Sequence, residues 1–393
     1  MILTGTRVLE VGGFATGPFA TMLLGDLGAE VIKIERPGSG DPWRKLDENT
    51  EFTPTFMCHN RNKKSLQLDI SRTSGREVFL RLANISDIIV ENLRPGTMAK
   101  LRLAYEDIVK VNPRIVYCSA SCFGPTNPRP GYDTTAQGIS GLLSTLTDLN
   151  NPEIRGPHFG DLLAGMFTAY GALAGLIEAR KNGSGVNLSV SMIASCMTMA
   201  SVSILNNLES KGKENASSRV RRSQGYAFLT KDYPIVIHLS TPERFWHGLI
   251  EAIDMKELLD DERFKNSSGR TEYYEELRRI LQPIFLTKTR SEWLDGLLKR
   301  DVPCGPLNSV SQVLEDEVVK ELENFRWTKG FPHILNPVNF SGFERLANEA
   351  PSLGQNSREI LEKIGYTQEE IDMIITDSER IESNMNSTNP HLF

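Results

Sequence analysis

A strand-turn-helix-strand unit within the first 41 residues constrains the fold of this chain more than any other feature. An apolar strand, Arg7 to Val11, runs into a glycine turn, Gly12 to Pro18. A helical stretch, Phe19 to Leu27, and a second strand, Glu30 to Glu35, follow, and then the loop Arg36-Pro37-Gly38-Ser39-Gly40-Asp41. Such a βαβ opening sets a helix N-terminus beside the C-terminal end of a strand, and the crevice between them is where nucleotide-like anions sit. The expected ligand is therefore large and anionic. The glycines at 12, 13 and 17 miss the G-x-G-x-x-G spacing that draws backbone against a pyrophosphate, which counts against an ordinary NAD site. A plain sharp turn explains Gly12 and Gly13 equally well.

Strand-like stretches recur at Val8 to Val11, Val31 to Ile34, Ser65 to Leu68, Asp87 to Val90 and Ile115 to Ser119, separated by helical patterns such as Ser74 to Ala83 and Tyr105 to Val111. This alternation predicts an α/β fold: a doubly wound parallel sheet, Rossmann-like, with helices on both faces. The apolar run Leu162 to Ile177 is shorter than the about 20 residues that usually span a bilayer and reads as a central packed helix. Val186 to Val190 reads as a further strand and Met192 to Leu205 as a further helix. The segment 206–224 is polar and without periodicity, which marks a domain boundary. The expected organisation is a large α/β domain over 1–205, a linker over 206–224, a smaller α+β domain over 225–327, and a C-terminal segment, 328–393, that returns to the large domain. Its last stretch, Asp377 to Phe393, is expected to fray.

With 44 basic and 50 acidic residues and a net charge of -6, no global positive field exists to hold nucleic acid or an anionic membrane. A polyanionic ligand must be gripped by a local cluster. The N-terminus lacks the basic flank of a signal peptide, and the five cysteines are dispersed without metal-ligand spacing. The expectation is a reduced, cytoplasmic protein without a structural metal.

Loops after strand ends face the crevice of a doubly wound sheet, so Arg36, Arg94 and Lys100 are candidate phosphate ligands, Arg as a planar fork and Lys as a mobile point charge. The alternative is an ordinary solvated surface. A second candidate is Asp161, an isolated acid at the start of the long apolar helix. It has two roles open to it. It suits a helix N-cap, and it suits a carboxylate nucleophile kept ionised by the helix amides. His158 reads as a loop residue more readily than as an acid or base, and Cys118 and Cys122 as core thiols without an activating partner.

Taken in order, Gly5-Thr6-Arg7-Val8-Leu9-Glu10, Thr16-Gly17-Pro18-Phe19-Ala20, Leu27 to Glu35, Asn60 to Ser65, Val90 to Gly96, Gly131-Tyr132-Asp133, Gly160-Asp161 and Gly183-Ser184-Gly185 resemble the family III CoA-transferases, the group of formyl-CoA transferase and carnitine CoA-transferase. Weaker echoes follow at Val302 to Pro306 and Ala350 to Gly354. The resemblance implies coenzyme A as substrate, an acyl-CoA donor, a small carboxylic acid acceptor and an interlocked homodimer. It implies Asp161 as the nucleophile, and Phe14, Ala15 and Thr16 where the first turn meets CoA. Arg36 and Lys100 would hold phosphates, Leu68, Asn92, Leu93 and Arg94 would lie beside the nucleotide, and Tyr132 and Asp133 near the acyl end.

The implied route runs through a mixed anhydride on Asp161 and then an aspartyl-CoA thioester, with backbone amides around the glycine turns stabilising the oxyanions, roughly 3 kcal/mol per donor. Related racemases carry a histidine where this chain has Tyr132, which favours transfer over racemisation. A racemase or a non-catalytic CoA-binding protein are the alternatives. The glycine-rich closing loop of formyl-CoA transferase has no counterpart in Arg221 to Tyr226, so oxalate is not the assumed acceptor. Arg221 and Arg222 are instead candidates to meet the carboxylate of a larger acid.

Overall fold

The computed structural model describes residues 1–45, 52–211, 218–240, 242–328 and 330–376. The chain divides into two compact units, one of residues 1–200 with 323–393 and one of residues 201–322. Much of the expected linker is helical, because one helix, Met192–Glu209, runs into it and another, Ser218–Ser223, lies near its end. Residues 212–217 lie outside the described residues, as does the tail 377–393.

The first unit carries, in chain order, β1 (Arg7–Val11), α1 (Thr16–Asp26), β2 (Glu30–Glu35), α2 (Pro54–Asn60), β3 (Lys63–Gln67), α3 (Thr73–Asn84), β4 (Ile88–Glu91), α4 (Thr97–Lys100), α5 (Tyr105–Ile108), β5 (Val116–Ser121), α6 (Asp133–Ile139), α7 (Phe159–Asn182), β6 (Val186–Ser191) and the first half of α8 (Met192–Glu209), up to Ala200. Its six strands form one parallel sheet in the order β3-β2-β1-β4-β5-β6, that of doubly wound nucleotide-binding folds. The reversal of winding falls between β1 and β4, so the loops after these two strands flank the crevice.

Alternating strand residues feed two cores. Leu9, Ile32, Ile34, Leu66, Ile89 and Tyr117 pack with Val78, Phe79 and Leu82 of α3 on one face. Val8, Val31, Ile88, Val90, Val116 and Cys118 pack with Ala20 and Leu24 of α1 and with Ala169, Ala172, Leu176 and Ala179 of α7 on the other. The second half of the first unit adds a hairpin, β10 (Phe325–Thr328) with β11 (Phe331–Ile334), and a helix, α16 (Ser357–Lys363). Ile360 and Leu361 of that helix enter the core of the first face, and Asn356 N–H reaches Ser65 O at 3.0 Å beside β3.

Helix α7 departs from the fully packed helix expected. Its small residues face α1 and the sheet, where a Cβ on Gly165 would stand 2.9 Å from Thr16 O, but Met166, Tyr170 and Ile177 are 53, 71 and 69 % exposed. An apolar composition all round a helix does not say which side is covered by its own chain. By length and composition α7 would also suffice to cross a membrane.

The second unit holds α9 (Ser218–Ser223), an antiparallel sheet of β7 (Gly225–Phe228), β8 (Ile235–His238) and β9 (Cys304–Pro306), and the helices α10 (Glu243–Ile253), α11 (Glu257–Asp260), α12 (Ser267–Glu272), α13 (Tyr274–Phe285), α14 (Arg290–Leu298) and α15 (Glu317–Glu321). Aromatics anchor it: Phe228 stacks on Phe285 at 4.4 Å, and Phe285 lies 4.8 Å from Trp293. Arg221 in α9 pairs with Glu275 of α13 at 3.3 Å.

One feature of the strands escaped the apolar pattern. Glu10 and Lys33 point into the core between the sheet and α1 with fully buried side chains. Lys33 Nζ lies 2.5 Å from Glu10 and 2.8 Å from Asp41, and Lys63 Nζ lies 2.7 Å from Glu10. Burial alone would raise the Glu10 carboxyl, yet the two ammonium groups overcome it and hold the pKa at about 2. Lys63 has one carboxylate partner where Lys33 has two, and burial pulls it down to about 8.

Because the Glu10 pKa is lower folded than unfolded, its contribution is complete above about 4.5 and is lost as pH falls toward about 2. Equilibrium urea unfolding is expected to lose about 3 kcal/mol across that window from this group. Lys33→Met, which strands Asp41 without its cation, is expected to cost about 3 kcal/mol at neutral pH.

Candidate functional site

The turn after β1 is clamped from two sides. Gly12 has φ +138, and a Cβ there would fall 1.8 Å from Asn92 Oδ1. Asn92, the first residue after β4, closes a reciprocal pair on Gly13: its Oδ1 accepts from Gly13 N–H at 3.2 Å, and its Nδ2 donates to Gly13 O at 2.9 Å. From the other side Asp41 Oδ1 accepts from Phe14 N–H at 3.2 Å and Trp43 N–H at 2.9 Å, while its second oxygen meets Lys33. The Gly13 and Phe14 amides are thus spent inside the protein. Of the glycine-turn amides expected to face oxyanions, these two point instead to Asn92 and Asp41. Phe14 sits at φ +61, with its ring 6.0 Å from Tyr132 and 6.4 Å from Trp43, both edge-on.

The crevice is a cavity of about 670 Å³ on the C-terminal side of the sheet. Phe14, Thr16, Arg36, Leu68, Asn92, Leu93, Arg94, Tyr132 and Asp161 line it, drawn from the ends of β1, β2, β3 and β4, the loop before α6, and α7. Three expected residues do not. Ala15 is fully buried at the start of α1, Lys100 is exposed at the end of α4 away from the lining, and Asp133 lies behind it. Arg129 and Asn127, in the loop after β5, line the cavity and were missed. The rule that found Arg36 and Arg94, a basic residue after a strand end, applies equally to Arg129. Its guanidinium stands 4.6 Å from the Phe123 ring. Three arginines, Arg36, Arg94 and Arg129, line the cavity together with the carboxylates of Glu35, Asp69 and Asp161.

Asp161 occupies the third position of α7, so it is not the N-cap. His158 stands at the cap without a side-chain bond. The capping is done from outside by Asp133, whose Oδ1 accepts from Gly160 N–H at 2.7 Å and Asp161 N–H at 3.3 Å, and whose Oδ2 accepts from Gln137 Nε2 at 2.7 Å. Asp161 is left free for another use. Its Oδ1 accepts from Thr16 Oγ1 at 2.5 Å across the α1–α7 contact. Burial raises its pKa, and the nearby Asp133 carboxylate adds to this, while the Thr16 hydrogen bond and His158 act against them.

Behind Trp43, His59 is pushed down to about 4 by burial, and the imidazoles of His59 and His158 stand 5.9 Å apart. Cys118 is buried, and burial raises its thiol and that of Cys122, so neither is a ready thiolate. Among the described residues no cluster of His, Cys, Asp and Glu is disposed to hold a metal.

A doubly wound parallel sheet with a crevice at its switch point defines an α/β protein of the nucleotide-binding architecture. The sequence matches the profile of CoA-transferase family III over residues 3–357, and the chain belongs to that family. It is 36% identical over 382 residues to the succinyl-CoA:glutarate CoA-transferase of Mus musculus, covering 92% of this chain and 86% of that one. It is 31% identical over 351 residues to the acetyl-CoA:oxalate CoA-transferase of Acetobacter aceti, covering 86% and 89%. Among solved structures, a CAIB/BAIF family protein from Brucella suis superposes with a TM-score of 0.82 at 27% identity, covering 92% of this chain and 99% of that one.

The clamp on the turn makes a stability prediction. Gly12→Ala combines a left-handed φ with a collision against Asn92 and is expected to cost about 3 kcal/mol in urea unfolding. Gly5→Ala, at φ +84 in open space, is expected to cost about 1 kcal/mol.

Proposed function

We propose that this protein moves CoA from an acyl-CoA donor to a small carboxylic acid through covalent intermediates on Asp161. The observation that carries this is the position of the Asp161 carboxylate: it lines the arginine-bearing crevice, is relieved of capping by Asp133, and has one oxygen held by Thr16. The other oxygen attacks the donor thioester carbon and CoA thiolate leaves, giving a mixed anhydride. The thiolate then attacks the aspartyl carbonyl and the donor acid departs as its carboxylate, leaving an aspartyl-CoA thioester. The acceptor carboxylate attacks that thioester, a second anhydride forms, and CoA thiolate takes its acyl group. Each step exchanges one anion for another, so thioester energy is conserved without net proton transfer.

Arg36, Arg94 and Arg129 suit the phosphates of CoA, with Asn92, Leu93 and Leu68 beside its nucleotide. Phe14 and Thr16 border the thioester end, with Ala15 buried between them. Tyr132 offers its exposed ring to the acyl group, and Asp133 supports the site through the helix it caps. Lys100 is a CoA contact only if the ligand reaches beyond the lining of the crevice.

The exposed Met166, Tyr170 and Ile177 on α7 support a homodimer, which buries an apolar face its own chain leaves open. Light scattering is expected to give twice the chain mass of 43.9 kDa, and a monomer at micromolar concentration would remove this part of the proposal. The five free cysteines fit a reducing compartment, here taken as the cytoplasm.

A panel of short-chain and dicarboxylic acids against succinyl-CoA and acetyl-CoA tests the function. Asp161→Asn is expected to lower transfer at least about 10³-fold while CoA still binds. The parent rate is expected to fall in acid with a midpoint above the ordinary aspartate value of 3.8, since only the carboxylate attacks. An Asp161→Asn variant as fast as the parent overturns the proposal.

A further inference from the structure

We propose that the Thr16 hydroxyl is the oxyanion donor for chemistry at the carboxyl carbon of Asp161 itself, a catalytic role beyond holding CoA. The inference rests on the covalent function of Asp161 and deepens it.

In the described structure Thr16 Oγ1 lies 2.5 Å from Asp161 Oδ1, and Thr16 is 4 % exposed. Asp161 itself lines the crevice. Its Oδ1 is therefore occupied by a buried donor, and the nucleophilic atom is Oδ2. Once Oδ2 carries the acyl group, Oδ1 becomes the carbonyl oxygen of the aspartyl half of the anhydride. When CoA thiolate attacks that carbon, a carbon–sulfur bond forms and the carbonyl pair moves onto Oδ1. Collapse restores the carbonyl and breaks the bond to Oδ2, which leaves on the donor carboxylate. The charge that develops on Oδ1 thus appears where a hydroxyl proton already points, in a place shielded from water. The same donor serves the reverse step, when the acceptor carboxylate attacks the aspartyl thioester.

Four backbone amides near Asp161 already have acceptors within the protein. The Gly13 and Phe14 amides are taken by Asn92 and Asp41, and the Gly160 and Asp161 amides by Asp133. Pro18, two residues on from Thr16 in the first turn of α1, has no N–H to offer. The Thr16 hydroxyl is the donor on Oδ1 among the described residues, and its position is set by the contact of α1 with α7, where Gly165 lets the Thr16 carbonyl come close.

Thr16→Val keeps the shape and removes the donor; Thr16→Ser keeps the donor and removes a methyl. With succinyl-CoA or acetyl-CoA in single turnover, the aspartyl-CoA adduct is trapped with borohydride and located by peptide mass spectrometry. Thr16→Val is expected to slow its formation about 100-fold, with CoA affinity and melting temperature close to the parent. Its acid limb is expected to move to higher pH, because the charged carboxylate loses a hydrogen bond. Thr16→Ser is expected to stay within a few-fold of the parent. An adduct on Asp161 that forms as fast in Thr16→Val as in the parent overturns this inference alone. Failure of the parent to form any adduct on Asp161 overturns the functional proposal with it.

Discussion

The crevice depends on a set of buried charges that ties the ends of β1 and β2 to the loop between β2 and α2. Lys33 lies with no exposed surface between Glu10 and Asp41, and Asp41 uses its remaining oxygen to hold the Phe14 and Trp43 amides. An ammonium group in a core is tolerable only with its charge matched and its protons placed. Here one of the matching carboxylates, Asp41, is also the group that holds the glycine turn. The turn can then afford Phe14 at φ +61, which aims an aromatic ring toward the cavity, and Gly12 at φ +138, which leaves room for the Asn92 side chain. Asn92 brings in β4, so the two strands at the reversal of winding are joined by one amide pair.

Two aspartates divide the work at the start of α7. A helix N-terminus offers amides and positive potential, and the nearest acid usually answers both. In this chain Asp133, from another helix, takes the amides, and Asp161, one turn in, keeps its carboxylate for the cavity. Burial and the second negative charge raise the pKa of Asp161, while Thr16 restrains the rise. The result is a carboxylate made more nucleophilic by its setting and still held in one orientation.

Much of the large unit was legible in residue order. The alternation of strand-like and helical stretches pointed to a parallel sheet, and its six strands adopt the order that such units favour. The rule that loops after strand ends face the ligand found Arg36 and Arg94, and its incomplete application missed Arg129. Lys100 lies outside the cavity lining because α4 carries it past the rim. The buried ion pairs were invisible because Glu10 and Lys33 pair across neighbouring strands, and pairing across a sheet is set by register, not by spacing along the chain. The capping of α7 was hidden likewise: Asp133 and Gly160 are far apart in sequence and meet only after the sheet has formed. The polar stretch after Asn206 looked like a linker, yet its described ends are helical, since a solvated helix needs no apolar stripe to persist when its neighbours hold it.

The central claim is that Asp161 exchanges oxygen with the acids it serves. Incubating the enzyme with an acyl-CoA donor and an accepted carboxylic acid labelled with oxygen-18 in its carboxylate, then measuring the mass of the peptide that contains Asp161, tests this directly. The covalent route predicts that label enters the Asp161 side chain during turnover and passes on into the released donor acid. Turnover with no label in that peptide would contradict it.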